Sequence, residues 1–235
     1  MKQSLMANKL LAALPSADFE TVAPHLERVE LRKGTVLAKP DEPVDHVHFL
    51  ESGLGSVVVL TNEGRRVEAG LFGIEGYVPA HAAAGARISP HEVVIQVAAD
   101  GYRMTFDGFL KSMEDSRNFC SLVHRSVAAF TVQVSYTAAS NALHSVEERL
   151  ARWLLMCDDR IPGGEIRLTH DYIALMLAVR RPSVTTALHV LEGSRFIRAE
   201  RGSITIRDRK AMEEFAGEAY GQPEEYYRHL MIQSL

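Results

Sequence analysis

Cysteine is scarce in this chain, with two among 235 residues, Cys120 and Cys157. They lie too far apart for a Cys-x-x-Cys site and are too few for a disulfide framework or an all-cysteine iron–sulfur cluster. They read as small buried or half-buried side chains. No apolar run approaches the roughly 20 residues that cross a bilayer. The opening MKQSLMANKLLAALP is interrupted by Lys9 and suits an amphipathic helix better than a signal peptide. These absences point to a cytoplasmic chain that makes no contact with a membrane. GxSxG, HExxH, P-loop and GxGxxG contexts are missing as well, so no catalytic site and no cofactor is expected. His46 and His48 share one face of a strand and are read as a solvated pair, not as a metal site. Glu147-Glu148 and Glu224-Glu225 are read as solvated faces.

What is present is an ordinary globular composition, 46% hydrophobic and 24% charged, which excludes a disordered chain. The net charge of −4 hides an asymmetry. Residues 149–210 carry twelve Lys and Arg against seven Asp and Glu, while residues 211–235 carry one against five. A basic segment inside an acidic protein is what a phosphate-facing surface requires.

Periodicity divides the chain. Residues 5–27 are helical in pattern, with Leu10, Leu11, Leu14 and Phe19 apolar and Pro15-Ser16 restarting the helix. From Val29 the period becomes two, and turn signals about every ten residues predict a small all-β sandwich or barrel. Residues 80–90 are read as a loop. From Ser116 to His144 the pattern is helical again. Phe119, Val123, Val127, Phe130, Val134, Thr137 and Asn141 alternate spacings of four and three, the seam of a coiled coil. Such a seam fits a helix paired with its own copy, the alternative being a helix packed on its own β-domain.

Ser145 and Glu148 have capping-box spacing and start a further helix carrying Leu150, Trp153, Leu154 and Met156. Thr169 then suits an N-cap and Asp171 a first helical turn. A tight turn follows at 178–181. Pro182 opens a second helix with Val184, Leu188 and Leu191 as its buried stripe, and Gly193 is a plausible C-terminal cap. Two short helices joined by a tight turn are a helix-turn-helix. The segments 196–198 and 203–206 alternate around Arg201-Gly202 as a hairpin wing. The outer face of the second helix offers Arg181, Ser183, Thr185, Thr186 and His189. Together with Thr169, His170, Arg180 and Arg201 these are the candidate contacts to double-stranded DNA.

The order of helix, β-segment, long helix and winged helix-turn-helix resembles the Crp/Fnr family of bacterial transcription regulators over roughly residues 10–210. The likeness is strongest in SVEERLARWLL and LTHDYIALMLAVRRPSVTTALHVLEGSRFI. It implies an α+β chain. A cupin-like β-roll (a jelly roll) with N-terminal helices occupies 1–115, a dimerisation helix 116–144, a winged helix-turn-helix 145–215 and an acidic tail 216–235. It also implies a homodimer on a near-palindromic DNA site, working with RNA polymerase. Arg181 falls at the family's main base-reading arginine. Pro182 stands where a glutamate usually reads cytosine, and Thr186 where a second arginine is usual, which implies a different target sequence. Ser183 matches a phosphate-contacting hydroxyl, and His170 sits where the first helix meets the DNA backbone.

Family members that bind cyclic nucleotides hold the ribose with a glutamate and the phosphate with an Arg-Ser pair. Gly73, Glu75 and Gly76 resemble the glutamate element, but Ser89-Pro90 stands at the Arg-Ser position, and Val134-Ser135 replaces two hydroxyls of the long helix. Arg87, two residues before Ser89, is the candidate substitute cation. The resemblance therefore implies an effector other than cyclic AMP, with a small-molecule effector of unassigned chemistry left open. The rival reading is an effector-binding protein-interaction module that has lost DNA binding.

Overall fold

The computed structural model describes residues 2–161, 164–200 and 202–232. Two short helices, α1 (Lys9–Ala12) and α2 (Ser16–Val22), lead into seven antiparallel strands arranged in two sheets. One sheet has the order β1 (Glu27–Leu31), β7 (Ala99–Thr105), β3 (His46–Leu50). The other has the order β2 (Val36–Ala38), β6 (Glu92–Val97), β4 (Leu54–Leu60), β5 (Arg66–Phe72). The chain has the α+β architecture of a β-roll, a long helix and a C-terminal helix-turn-helix. Alternation along the strands turns Val47, Phe49, Val57, Ile95 and Met104 into the roll's core. The segment Ala80–Ala84, expected as loop, is a 3-10 helix.

Helix α3 (Phe106–Asp115) leads into α4 (Arg117–Leu143). Ser116 caps α4, its hydroxyl accepting from the Phe119 N–H at 3.0 Å. The same hydroxyl donates to Asp18, which also accepts from Asn118 and so ties α2 to the start of α4. The first turns of α4 face inward. Phe119 and Val123 are wholly buried in the protomer's own core. Phe119 packs edge-on against Phe109, with ring centroids 5.7 Å apart. Val127 and Phe130 pack on the same core, while Val134 and Thr137 are half-buried and Asn141 is exposed. This corrects the reading of 119–141 as one dimer seam. The apolar stripe is real, but its N-terminal half is covered by the β-roll, which leaves Phe119 and Val123 no surface to give a partner.

Helix α5 (Val146–Asp158) carries the full capping box, with Ser145 and Glu148 bonded reciprocally. It packs with α6 (His170–Met176), α7 (Arg181–Gly193) and α8 (Arg209–Ala216) around a second core. A three-stranded sheet, β8 (Glu165–Ile166), β10 (Ser203–Ile206) and β9 (Ile197–Glu200), completes this part. The acidic C-terminal segment is no simple tail, since it forms α9 (Gln222–Ile232), which returns to pack on α4. Leu54 and Leu71 of the β-roll belong to the second core, so the roll and the helix-turn-helix part share apolar packing. Among the described residues, no helix is long and apolar enough to cross a membrane.

Candidate nucleic-acid interface

Local sequence explains how α6 and α7 are set. Thr169 caps α6 by accepting from the Tyr172 N–H at 3.3 Å. Ala178 turns the chain at φ 51°, a left-handed value that a small side chain tolerates better than a branched one. Arg180 is extended at the N-cap of α7, and Pro182 occupies the first turn, where its missing N–H costs nothing. Val184, Ala187, Leu188 and Leu191 bury one face of α7 against α5 and α6. The left-handed residue after α7 is Arg195, at φ 63°, so Gly193 ends the helix without serving as the turn.

The opposite face of α7 is open. Arg181, Thr186 and His189 are exposed, and Ser183 and Thr185 are half-exposed. His170 Nδ1 lies 3.2 Å from Thr185 Oγ1, which fixes the start of α6 against the outer side of α7. Arg181 is ion-paired with Asp171 at 3.3 Å, and both side chains are well exposed. Asp171, expected from the sequence only as a helix-dipole partner, is thus also the ion-pair partner of Arg181. Arg180 and Thr169 lie exposed at the mouth of the turn. The hairpin of β9 and β10 pairs Ser203 with Glu200 and Ile206 with Ile197. Arg201 lies outside the described residues.

The residues assigned to an effector do not converge. Arg87 pairs with Asp107 and stacks over Phe106, 4.5 Å from the ring centroid. Ser89 is fully buried, and its hydroxyl donates to the His91 carbonyl at 2.7 Å. Ser135 is exposed and bonds back to Thr131 within α4. Glu75 and Gly76 lie elsewhere, Gly76 against Ser126 of α4 and Glu75 beside the end of α5. There Arg160 Nε donates to Glu75 Oε1 at 2.6 Å. Gly73 makes room for this pair, because a Cβ there would stand 2.9 Å from Arg160 Cγ. The mutual attraction with Glu75 keeps the fully buried Arg160 guanidinium charged despite its desolvation.

A second polar contact joins the two parts, and sequence reading missed it. Glu68 on β5 is buried, accepting from Ser56 Oγ at 2.6 Å and from Trp153 Nε1 at 2.8 Å. Ser56 Oγ also lies 3.3 Å from the hydroxyl of Tyr172 on α6. Burial pushes the Glu68 carboxyl up to about 7, against the opposing pull of its two hydrogen bonds and of Arg152 and Arg160. His48, expected to be solvated, is buried between strands. Desolvation, helped by the neighbouring His46 and Arg103, holds it neutral with a value of about 3.

A β-roll joined by a long helix to a winged helix-turn-helix with an open polar recognition face defines a DNA-binding regulator fold. Residues 148–215 match the Crp-like helix-turn-helix domain. The chain accordingly carries that domain and has the fold of Crp/Fnr-type DNA-binding transcription regulators. FixK2 from Bradyrhizobium japonicum shares this fold at 16% identity and a TM-score of 0.70, over 83% of this chain and 99% of its own. A CRP-family transcriptional regulator from Thermus thermophilus shares it at 20% identity and 0.68, over 82% and 98%. So does the c-di-GMP-responsive global regulator CLP from Xanthomonas campestris, at 14% identity and 0.66, over 82% and 99%. No curated protein matches the chain.

Proposed function

We propose that the chain is a cytoplasmic, non-enzymatic transcription regulator that binds double-stranded DNA as a homodimer and acts with RNA polymerase. The observation that carries this reading is the open outer face of α7, with Arg181, Ser183, Thr185, Thr186 and His189 presented beside a β-hairpin wing. Arginine pairs with the guanine edge in the major groove, and hydroxyls and histidine bond phosphates or bases. In this reading 1–115 senses, 116–144 dimerises and 145–215 binds DNA. Within 216–235, helix α9 supplies a brace on α4.

The dimer contact follows a register shifted by one residue from the expected seam. His124, Ala128, Thr131, Ser135, Ala138 and Ala142 repeat at spacings of four and three along the outer side of α4. Two copies related by a two-fold axis along this stripe would present both α7 helices to successive major grooves, about 34 Å apart. Ala138→Arg is expected to convert a dimer into a monomer in multi-angle light scattering while the melting temperature barely changes. A dimer that survives Ala138→Arg and Thr131→Arg together would place the contact elsewhere.

The effector in this reading is not cyclic AMP. A buried cyclic phosphate needs charged donors of fixed geometry. Here Arg87 is engaged by Asp107, Ser89 is closed in by its own backbone, and Pro90 lacks an N–H. Selection from random DNA duplexes tests the whole proposal. Enrichment of a near-palindrome by the untreated protein is the expected result, and no enrichment, with or without cyclic AMP, would favour a protein-interaction module.

A further inference from the structure

His170 on α6 and Thr185 on α7 meet at the edge of the open face, with Nδ1 and Oγ1 3.2 Å apart. The Thr185 hydroxyl has one proton, and it donates to the Arg181 carbonyl at 3.3 Å, one turn back along α7. Both contacts are hydrogen bonds at once only when Oγ1 accepts from His170, which puts the ring proton on Nδ1. A neutral imidazole carries a single N–H, and here it is spent inside the protein. The ring is half-exposed, and its second nitrogen, Nε2, has no hydrogen-bond partner among the described residues. Ring geometry turns Nε2 away from α7. On the neutral ring it is a bare lone pair.

We propose that His170 holds a DNA phosphate through Nε2 as the imidazolium, so that DNA binding takes up a proton. The proposal rests on the regulator reading, which sets His170 against the DNA backbone. A phosphate oxygen only accepts hydrogen bonds, so it repels the lone pair of the neutral ring. Moving the one proton to Nε2 would give up a bond at Thr185. Protonation keeps both bonds and makes Nε2 a charged donor, the stronger kind. The charged and titratable groups set around this contact are few. They are Asp171 beside it on α6, Arg181 and His189 on the outer face of α7, and Arg167 before α6, itself paired with Glu165. Asp171 and Arg181 offset each other in the free protein. When Arg181 turns to a base, Asp171 is left beside phosphate, and a charged His170 answers it. Thr185 is then a positioning residue, with its hydroxyl committed to Arg181 and His170.

Long-range proton–nitrogen NMR of the free full chain reads the ring directly, and at pH 8 the proton is expected on Nδ1. Calorimetry then uses the duplex that selection enriches and a scrambled duplex of equal length, each in phosphate and in Tris. The difference in heat between the buffers gives the protons exchanged, and net uptake is expected. The complex holds the proton more tightly than the free protein, so affinity should fall as pH rises, at least about tenfold from pH 6 to pH 8. His170→Arg carries a permanent cation and should flatten that dependence. Thr185→Val frees the neutral ring to carry its proton on Nε2 and should weaken the dependence. A merely structural His170 would move neither readout. A proton on Nε2 in the free wild type overturns the proposal, as does a pH dependence that His170→Arg keeps in full. DNA binding without proton uptake overturns this inference alone, whereas binding to neither duplex removes the regulator reading with it.

Discussion

Replacing Arg181 by alanine is expected to cost about 1–3 kcal/mol on the preferred DNA site and to relax selectivity at one base pair of each half-site. The side chain stands exposed on the first turn of α7, the end that would enter the groove in the proposed complex, and its fork of N–H groups matches the acceptor pair of guanine. In the free protein that fork is partly engaged by Asp171. An exposed pair of this kind is worth at most about 1 kcal/mol, so DNA displaces it readily. Asp171→Asn should therefore strengthen DNA binding slightly, by freeing Arg181 and removing a negative charge that faces phosphate. Arg180, extended before the helix, would meet phosphate instead of a base in the proposed complex. Arg180→Ala should weaken all sequences alike and lower the salt dependence of binding by about one counterion. Fluorescence anisotropy on specific and scrambled duplexes over a salt series reads all three. Equal losses from Arg181→Ala on both duplexes would place another element in the groove.

The helix-turn-helix was legible because its signals are local. Thr169, Pro182 and the Ser145–Glu148 pair act on backbone groups three or four residues away, and no distant partner is needed to interpret them. The face of α4 was not legible for the opposite reason. Heptad spacing shows that Phe119, Val123, Val127 and Phe130 want cover, but not whether a second copy or the chain's own roll supplies it. Folding gave them the nearer partner, and the outward stripe fell to the smaller residues one position on. Acidic composition concealed α9 in the same way, although Tyr227 and Leu230 sit at helical spacing on one side of it. The effector candidates failed for a topological reason. Glu75 and Arg87 lie twelve residues apart, yet one turns to α5 and the other to α3, so proximity in sequence joined residues that face different neighbours. Glu68 gave no signal at all. Within RRVEAGLFG the alternation places it on a polar face, and only the docking of Trp153 and Tyr172 on that face makes it interior.

Glu68 makes the junction between the β-roll and the DNA-binding part sensitive to pH. Its carboxyl is raised from the ordinary 4.5 to about 7, chiefly by burial. When the junction opens or the chain unfolds, the group returns to water and its ordinary value. Between those two values the closed state holds a proton that the open state has released. Stability therefore falls as pH rises from about 4.5 to about 7 and levels off above that. The shift corresponds to a penalty of about 3 kcal/mol at pH 8 relative to pH 4. His48 acts in the other direction. Held neutral to about 3, it costs stability as pH falls below its ordinary 6.5, so the wild-type profile is a sum of both. Glu68→Gln isolates the first contribution. The amide keeps an acceptor for the Trp153 N–H and cannot ionise, so the variant should gain on the wild type as pH rises, by up to about 3 kcal/mol near pH 8. Urea unfolding at half-unit pH steps gives that difference directly. Trp153 is the chain's only tryptophan, so its emission reports the same site without labelling. Wild-type emission should titrate with a midpoint near 7, and the variant's should not. A difference in stability that stays constant from pH 5 to 8 would mean that Glu68 keeps one protonation state throughout, and the junction would owe nothing to pH.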